Sequence, residues 1–231
     1  MTPTPLPTGH FLRELTSADL PALHALHDAV VAALPDPTLF RLFGGAAKFL
    51  SDHLGARGSS LGVFTQDGLV AYGSLTRPGP DDLDNYAIDV GWPPARAGRV
   101  ALLSAAMVHP AHRVQGLHRA LIEARVALAR ERGAPELLVR AAPANAVSRR
   151  TLLSHGFAVV WLGVQREGSL RHVLWRPVDG PAWSAAEPGK AALTWVAADD
   201  HAGQRRLLGD GWLGVRMRPG DASLGFARRP L

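Results

Sequence analysis

The sequence predicts an α/β fold in which a central mixed β-sheet is flanked by helices, with a small αβ extension at its carboxyl end. Three observations lead to this prediction. Residues 101–108 form a continuous apolar run, which is typical of a strand buried on both faces. Residues 116–132 carry apolar side chains at helical spacing. Residues 61–75 hold two short apolar segments joined by Gln-Asp-Gly, which indicates an antiparallel hairpin and makes the sheet mixed.

The amino-terminal half predicts strands and helices in alternation after a short lead-in. Residues 1–10 are rich in Pro and Thr and are expected to be flexible. Leu and Val at helical spacing predict the first helix, and Pro35 and Pro37 end it. The predicted elements are a strand over 11–15, helices over 20–34 and 39–54, strands over 61–65 and 69–75, and a long loop with one short helix over 76–100.

The second half predicts a parallel core. Its elements are strands over 101–108, 136–141, 157–163 and 170–176, with helices over 116–132 and 145–155. Strand and helix alternate from residue 101 to residue 163. This order is typical of parallel strands joined by right-handed crossover connections.

The amino-acid composition of the sequence changes after about residue 178. Residues 181–189 have the Pro, Gly and Ser content of a linker. Strands are predicted over 193–197, 212–217 and 224–228, with a helix over 199–208. We therefore divide the chain into a lead-in over 1–10, a main domain over 11–178 and an extension over 179–231. About 50 residues form a small core on their own, so we expect the extension to pack on the main domain or on a second subunit in a homodimer.

Composition excludes several classes of protein. The chain has 231 residues, of which 47% are hydrophobic and 19% charged, as in globular proteins. It has no cysteine, which excludes disulfides, thiolate metal sites and a cysteine nucleophile. We expect no membrane span and no signal peptide, hence a cytoplasmic protein. The net charge of +5 comes from scattered arginines, so we expect no nucleic-acid partner.

The segment from Val108 to Leu121 is the most informative for chemistry. It places a strand end, a loop of turn-forming residues and a helix start in direct succession. The first turn of a helix presents unpaired N–H groups and a positive dipole end, which suit phosphate. Gly116 lets a ligand approach the backbone closely, and Arg113 and Arg119 add positive charge. Taken alone, this pattern also fits an ordinary connection between a strand and a helix.

The same segment resembles the acyl-CoA-binding motif of GNAT acetyltransferases, R/Q-x-x-G-x-G/A. Arg113, Gly116 and His118 stand at the three marked positions. A second family element, N-x-x-A/S followed by G-F, is matched by Asn145, Ser148 and the Gly156-Phe157 pair. The two elements stand in the family's order within the predicted β-α-β-α-β arrangement, and the resemblance covers about residues 11–178.

The resemblance implies a GNAT fold and a reaction. Acetyl-CoA would be the co-substrate, no metal would be needed, and the acetyl group would pass to a primary amine of a small molecule or peptide by direct attack in a ternary complex. The main chain of Met107 and Val108 would pair with the pantetheine arm. Asn145 and Ser148 would lie along that arm. The pyrophosphate would be held by Arg113, Val114, Gln115, Gly116, Leu117, His118 and Arg119.

The chain departs from the family at four positions. Val114 stands where Gly is usual, and His118 where Gly or Ala is usual. Leu152 replaces the Tyr that often protonates the leaving thiolate, and Ser104 is found where a Glu often serves as general base. His118 and Ser104 are our candidates for catalytic roles, since His118 lies beside the cofactor motif and Ser104 at the usual position of the base.

Other groups and other functions stay open on the sequence alone. Further candidates for proton transfer are His109, His112, His155, His172, Tyr86, Asp84 and Asp89. A metal cluster of His109, His112 and His118 is disfavoured, because a phosphate-binding loop explains the region and no acid lies nearby. The missing Tyr and Glu favour an alternative function, an acyl-CoA-binding sensor or scaffold with weak or no turnover.

Overall fold

The computed structural model describes residues 4–36, 39–40, 42, 45–55, 58–165, 168–184 and 192–228. Within these ranges, the strands are β1 (Phe11–Glu14), β2 (Gly58–Thr65), β3 (Gly68–Thr76), β4 (Val100–Val108), β5 (Glu136–Ala141), β6 (Ala158–Val164), β7 (Leu170–Pro177), β8 (Thr194–Val196), β9 (Trp212–Met217) and β10 (Leu224–Arg228). The helices are α1 (Leu20–Ala32), α2 (Ala46–Asp52), α3 (Tyr86–Asp89), α4 (Pro94–Ala97), α5 (Leu117–Glu131), α6 (Ala146–Ser154) and α7 (His201–Gly209).

Two predicted segments differ from the structure. The predicted helix over 39–54 is reduced to α2, which begins only after Gly45 because this glycine has a φ of 90° that a helix cannot contain. Positions 41 and 43–44 of that prediction lie outside the described residues, as does most of the proposed linker, over 185–189. The loop over 76–100 contains two short helices, α3 and α4, where we expected one.

The described strands form a single mixed sheet in the order β1-β2-β3-β4-β5-β7-β6-β9-β10-β8. The mixed sheet flanked by helices confirms the predicted fold class. The parallel core is smaller than expected, since β4 and β5 form a parallel pair but β7 lies between β5 and β6. Strand β7 can enter because only five residues separate it from β6 along the chain, and it pairs antiparallel with both neighbours.

Helices cover both faces of the sheet. On the front face, α1 and α2 enclose Tyr72 and Met107, while α3 and α4 enclose Leu102 and Trp175. On the back face, α5 and α6 bury the main apolar core with residues of β4 to β7, and α7 packs on β6 and β9. Buried side chains on both faces of β4 explain its continuous apolar run.

The extension continues the same sheet. Val159 of β6 pairs with Gly214 of β9, and β9, β10 and β8 follow as antiparallel neighbours. Met217, Leu224 and Phe226 of the extension belong to the main back-face core. Its residues therefore contribute directly to the core of the main domain.

The segment 4–10, which we expected to be a flexible lead-in, contacts the back face. The Thr4 hydroxyl donates to Glu123 Oε1 at 2.8 Å, and the Thr4 backbone N–H donates to Oε2 of the same carboxylate. Leu6 packs beside the cluster that contains Leu117 and Leu121. The amino-terminal segment thus crosses α5 close to its first turn.

Candidate active site

Strand β4 separates from β5 halfway along its length. The two strands pair from Val100 with Glu136 to Leu103 with Val139, and β4 then continues to Val108 without β5 as a partner. At the same place, the register between β3 and β4 shifts, because Ser74 pairs with Ala105 and Leu75 with Leu103. This bulge leaves Ser104 as the extra residue and bends β4 away from β5. A slot lined by main-chain groups opens between the two strands.

The backbone of β4 points alternately into the slot and towards β3. The N–H of His109 donates to the carbonyl of Val70 on β3 at 2.9 Å. Because successive residues of a strand direct their N–H and C=O groups to opposite sides, Met107 also faces β3, whereas Val108 and Ala106 face the slot. Of the two residues predicted to pair with pantetheine, the structure places the main chain of Val108 on the open side. Ala106 joins it there, and the sequence did not indicate it.

The slot leads to a loop with unpaired N–H groups. After β4, a 3-10 helix over Pro110–His112 turns the chain, and α5 begins at Leu117. Val114 and Gly116 have positive φ values of 64° and 80°, which fold the loop back on itself. The first intrahelical bond is donated by the N–H of Ala120 to the carbonyl of Gly116, so the N–H groups just before it are free to bind an anion.

Asn145 lies at the amino end of α6, after the end of β5. Its Oδ1 accepts the N–H of Ser148 at 3.0 Å and caps the helix. This bond fixes the orientation of the side-chain amide, so that Nδ2 is the group that can donate elsewhere. Asn145, Ser148 and the residues 113–119 all follow the carboxyl ends of the adjacent strands β4 and β5.

Comparison with known proteins agrees with this geometry. The family model described as the acetyltransferase (GNAT) family matches residues 24–157. The chain belongs to the GNAT acetyltransferase family. A search of curated proteins found no match. The family match ends before β6, so the extension lies outside it.

Solved GNAT structures show the same fold at low sequence identity. The ribosomal-protein-S18-alanine N-acetyltransferase from Escherichia coli is 18% identical, with a TM-score of 0.54 over 78% of this chain and 97% of that one. The putative acetyltransferase yncA from Salmonella typhimurium with acetyl-CoA is 19% identical, with a TM-score of 0.55 over 78% and 100%. Arabidopsis thaliana NAA60 in complex with acetyl-CoA is 13% identical, with a TM-score of 0.56 over 74% and 99%.

The two catalytic candidates of this GNAT protein have different environments. Desolvation, followed by the positive charges of Arg125 and His155, lowers the pKa of His118 to about 3. Its ring is neutral at neutral pH and is a weak base. Ser104 lies on the front face at the bulge, where its hydroxyl hydrogen-bonds the Thr76 hydroxyl at 2.5 Å. The hydroxyl pair brings a polar group to the closed end of the slot.

The position of the usual GNAT tyrosine is apolar here. Leu152 is 1% exposed and belongs to the back-face core that also contains Leu103, the last β4 residue paired with β5. No hydroxyl can be supplied from this side chain. Any proton that the leaving thiolate receives must come from another group or from the attacking amine.

A polar network on the front face lies at the closed end of the slot. Arg140 follows Val139, the last β5 residue paired with β4, so it stands opposite Ser104 in register. Its guanidinium lies 4.1 Å from the centre of the Tyr86 ring and donates to Gln165 Oε1 at 2.6 Å. The amide nitrogen of Gln165 donates in turn to Asp89. Tyr86 and Asp89 were candidates from the sequence, whereas Arg140 is noticeable there only as a charge within an otherwise apolar strand.

The remaining candidates lie elsewhere. His172 is buried and bonds Gln204 of the extension, and His155 is buried against Glu123 and the carbonyl of Thr151. The rings of His109 and His112 contact each other in the loop after β4. Across the described part of the chain, no group of three or more His, Asp or Glu side chains is arranged to hold a metal ion.

None of the described helices is long and apolar enough to cross a membrane.

Proposed function

We propose that this protein transfers an acetyl group from acetyl-CoA to a primary amine of a small molecule or peptide, by direct attack of the amine in a ternary complex. The observation that carries the proposal is the continuity of the slot with the anion-binding loop. Free main-chain groups of β4 lead directly from the bulge at Ser104 to the helix start at Leu117. A long ligand with amides at one end and phosphates at the other fits this arrangement.

Each part of acetyl-CoA has a proposed partner. The pantetheine amides would pair with the free main-chain groups of Ala106 and Val108, as an added strand does. Asn145 would donate to the same arm. The pyrophosphate would accept the N–H groups of the loop and the first turn of α5, with the exposed Arg113 and Arg119 adding charge. Acetyl-CoA bound to yncA and to NAA60 supports this choice of co-substrate.

The acceptor would approach from the front face. The helices α5 and α6 cover the back face beside the slot, and the front face offers Ser104 together with the network of Arg140, Gln165 and Asp89. The E. coli S18-alanine enzyme acts on a protein amino group according to its name, which supports an amine as the acceptor. Holding the amine and the thioester together can supply a large share of the rate acceleration.

A second candidate function is an acyl-CoA-binding sensor without turnover. The burial of Leu152 favours it, because the slot lacks the hydroxyl that protonates the thiolate in many relatives. Both functions require acetyl-CoA binding, and only the first requires the release of CoA. Turnover therefore separates them.

The test begins with calorimetric titration of acetyl-CoA and CoA. Gly116→Trp should weaken binding at least tenfold, because the new side chain enters the anion-binding loop. A Cβ at Gly116 meets only Thr4 within 4 Å, so the variant blocks the ligand without displacing the core. Gly133→Trp is the matched control, since Gly133 follows the end of the same helix with a φ of 69°, and a Cβ added there would meet nothing within 4 Å. It should bind as the wild type does.

Turnover is then measured with a panel of amines and a thiol reagent that detects released CoA. The chain has no cysteine, so the reagent reports CoA alone. Binding with turnover supports the enzyme, and binding without turnover for any amine supports the sensor. Failure of the wild type to bind acetyl-CoA would overturn both functions.

A further inference from the structure

Arg125 is a buried cation on the back face that the reaction scheme above does not use. It lies on α5, is 2% exposed and bonds none of the described carboxylates. Its Nε donates to the carbonyl of Leu121 at 2.9 Å, and its Nη1 donates to the carbonyls of Ser74 and Ala105 at 3.2 and 3.0 Å. Burial of a charge without a counterion costs free energy, so an apolar side chain would be the simpler choice on this helix face.

The structure makes room for this guanidinium at a defined place. A Cβ added to Gly73 of β3 would lie 2.9 Å from Arg125 Cζ, so the guanidinium occupies the space that the glycine leaves open. The two carbonyls that Arg125 binds belong to Ser74 and Ala105, which pair with each other where the register of β3 and β4 shifts. Arg125 therefore supplies donors where the bulge interrupts the ladder between the two strands.

The bonded carbonyl fixes the direction of the neighbouring N–H. In a planar trans peptide, the C=O of Ala105 and the N–H of Ala106 point in opposite directions. Because the carbonyl of Ala105 is held on the β3 side, the N–H of Ala106 points into the slot. The bond from the His109 N–H to the Val70 carbonyl shows that His109 faces β3. Because residues of a strand alternate, Ala106, three positions before it, faces the slot. Two independent contacts thus aim this N–H at the space between β4 and β5.

A charged donor bonded to the carbonyl of Ala105 also makes the N–H of Ala106 a stronger hydrogen-bond donor. Hydrogen bonds in a chain polarise one another, and a bond from a cation is stronger than one from a neutral group. Burial lowers the pKa of Arg125 to about 10, so the side chain stays protonated at neutral pH. The Ala106 N–H is consequently a better donor than an ordinary strand amide.

We propose that Arg125 is a positioning residue that holds and polarises the peptide between Ala105 and Ala106, so that the Ala106 N–H binds the thioester oxygen of acetyl-CoA. In the reaction, the amine nitrogen forms a bond to the thioester carbon, and the carbonyl oxygen gains negative charge. The C–S bond then breaks, CoA leaves as a thiolate, and the proton lost by the amine balances its charge. This inference rests on the proposed acetyl-CoA-dependent function.

The direct test is the infrared stretch of acetyl-CoA labelled with ¹³C at the thioester carbonyl. Bound to the wild type, the band should shift to lower frequency than in water, because a polarised N–H weakens the C=O bond. In Arg125→Met the band should return towards its frequency in water. The control is Arg149→Met, which removes another buried arginine, 1% exposed and on α6, whose Nε and Nη1 bond none of the described residues. It should keep the wild-type band.

Kinetics with an accepted amine provide a second measurement. Arg125→Met should lower kcat by about 10- to 100-fold and should change KM little. This loss should not exceed the loss of kcat caused by removing a direct oxyanion donor. Arg125→Lys keeps a cation, so its kcat should lie between those of the wild type and Arg125→Met. If circular dichroism shows that Arg125→Met does not fold, Arg125→Lys is used in its place.

The outcomes separate the inference from the function on which it rests. Wild-type protein that binds no acetyl-CoA overturns the proposed function and this inference with it. Acetyl-CoA binding with the same carbonyl frequency in the wild type and in both Arg125 variants overturns the role of Arg125 alone. A shift lost at Arg125 and kept at Arg149 supports it.

Discussion

Val114 and Gly116 hold left-handed backbone conformations two residues apart, with φ values of 64° and 80°. Glycine adopts this conformation freely, whereas the branched Cβ of valine clashes with its own backbone. Val114 is fully exposed, so no packing compensates for the strain. The conformation therefore favours glycine over valine at this position.

Val114→Gly should stabilise the protein by about 0.5–1 kcal/mol. The relief of backbone strain favours the folded state, and the greater conformational freedom of glycine in the unfolded chain offsets part of that gain. Urea denaturation measures the change. Val147→Gly is the matched control, because Val147 is also exposed but lies within α6. Glycine there should destabilise by about 0.5 kcal/mol. Equal effects of the same sign at both positions would contradict the account.

His172 should make stability depend on pH. Burial lowers its pKa to about 4, against about 6.5 in an unfolded chain. Gln204 donates to the carbonyls of Ala197 and Ala198 through Nε2, so its Oε1 accepts from His172 Nε2 and fixes the ring proton on that nitrogen. Between pH 6.5 and 4 the unfolded chain binds a proton that the folded chain does not. The contribution is complete above pH 6.5 and is lost as the pH falls.

As the pH falls through 5, the titration of His172 should lower the free energy of unfolding by about 1 kcal/mol per pH unit. His118, whose pKa is also lowered, should add a loss of the same sign. His172→Gln should remove about half of this combined slope, as measured by urea denaturation at pH 7, 6 and 5. An unchanged slope in the variant would show that His172 is not the group responsible.

The junction between the main domain and the extension depends on a glycine. A Cβ on Gly214 would lie 2.7 Å from Leu224 Cδ2 and 3.0 Å from Val159 Cβ, within the pair that joins β9 to β6. Gly214→Ala should destabilise the protein by about 1–3 kcal/mol through overpacking. Gly209→Ala in α7 is the control, since a Cβ there meets nothing within 4 Å, and it should be neutral or slightly stabilising. Thermal unfolding followed by circular dichroism measures both.

Local features were the most predictable parts of this molecule. The loop after β4 could be predicted because its chemistry depends on consecutive residues, from Arg113 to Arg119. Strand β4 and helix α5 could be predicted from their apolar patterns. The order of the strands could not, because nothing in the 157–176 segment indicates that β7 enters the sheet between β5 and β6.

The missed site residues depend on register and packing. Arg140 stands opposite Ser104 because the residues just before them, Val139 and Leu103, form the last pair between β5 and β4. Arg125 reads as one more charge on an amphipathic helix, and only the bulge and Gly73 show that it points inwards. Sequence periodicity says which residues face a sheet, but the carbonyls that a buried guanidinium meets are set by the folded chain.

The separation of β4 from β5 gives the sheet an open edge in its interior, besides the outer edges that the described strands have at β1 and β8. Open strand edges attract other strands and promote aggregation. Here α1 on the front face and α5 on the back face pack against β4, so little room is left for another strand to pair along the whole of this edge. An interior edge shielded in this way can keep its hydrogen-bonding groups unpaired without making the protein prone to aggregate.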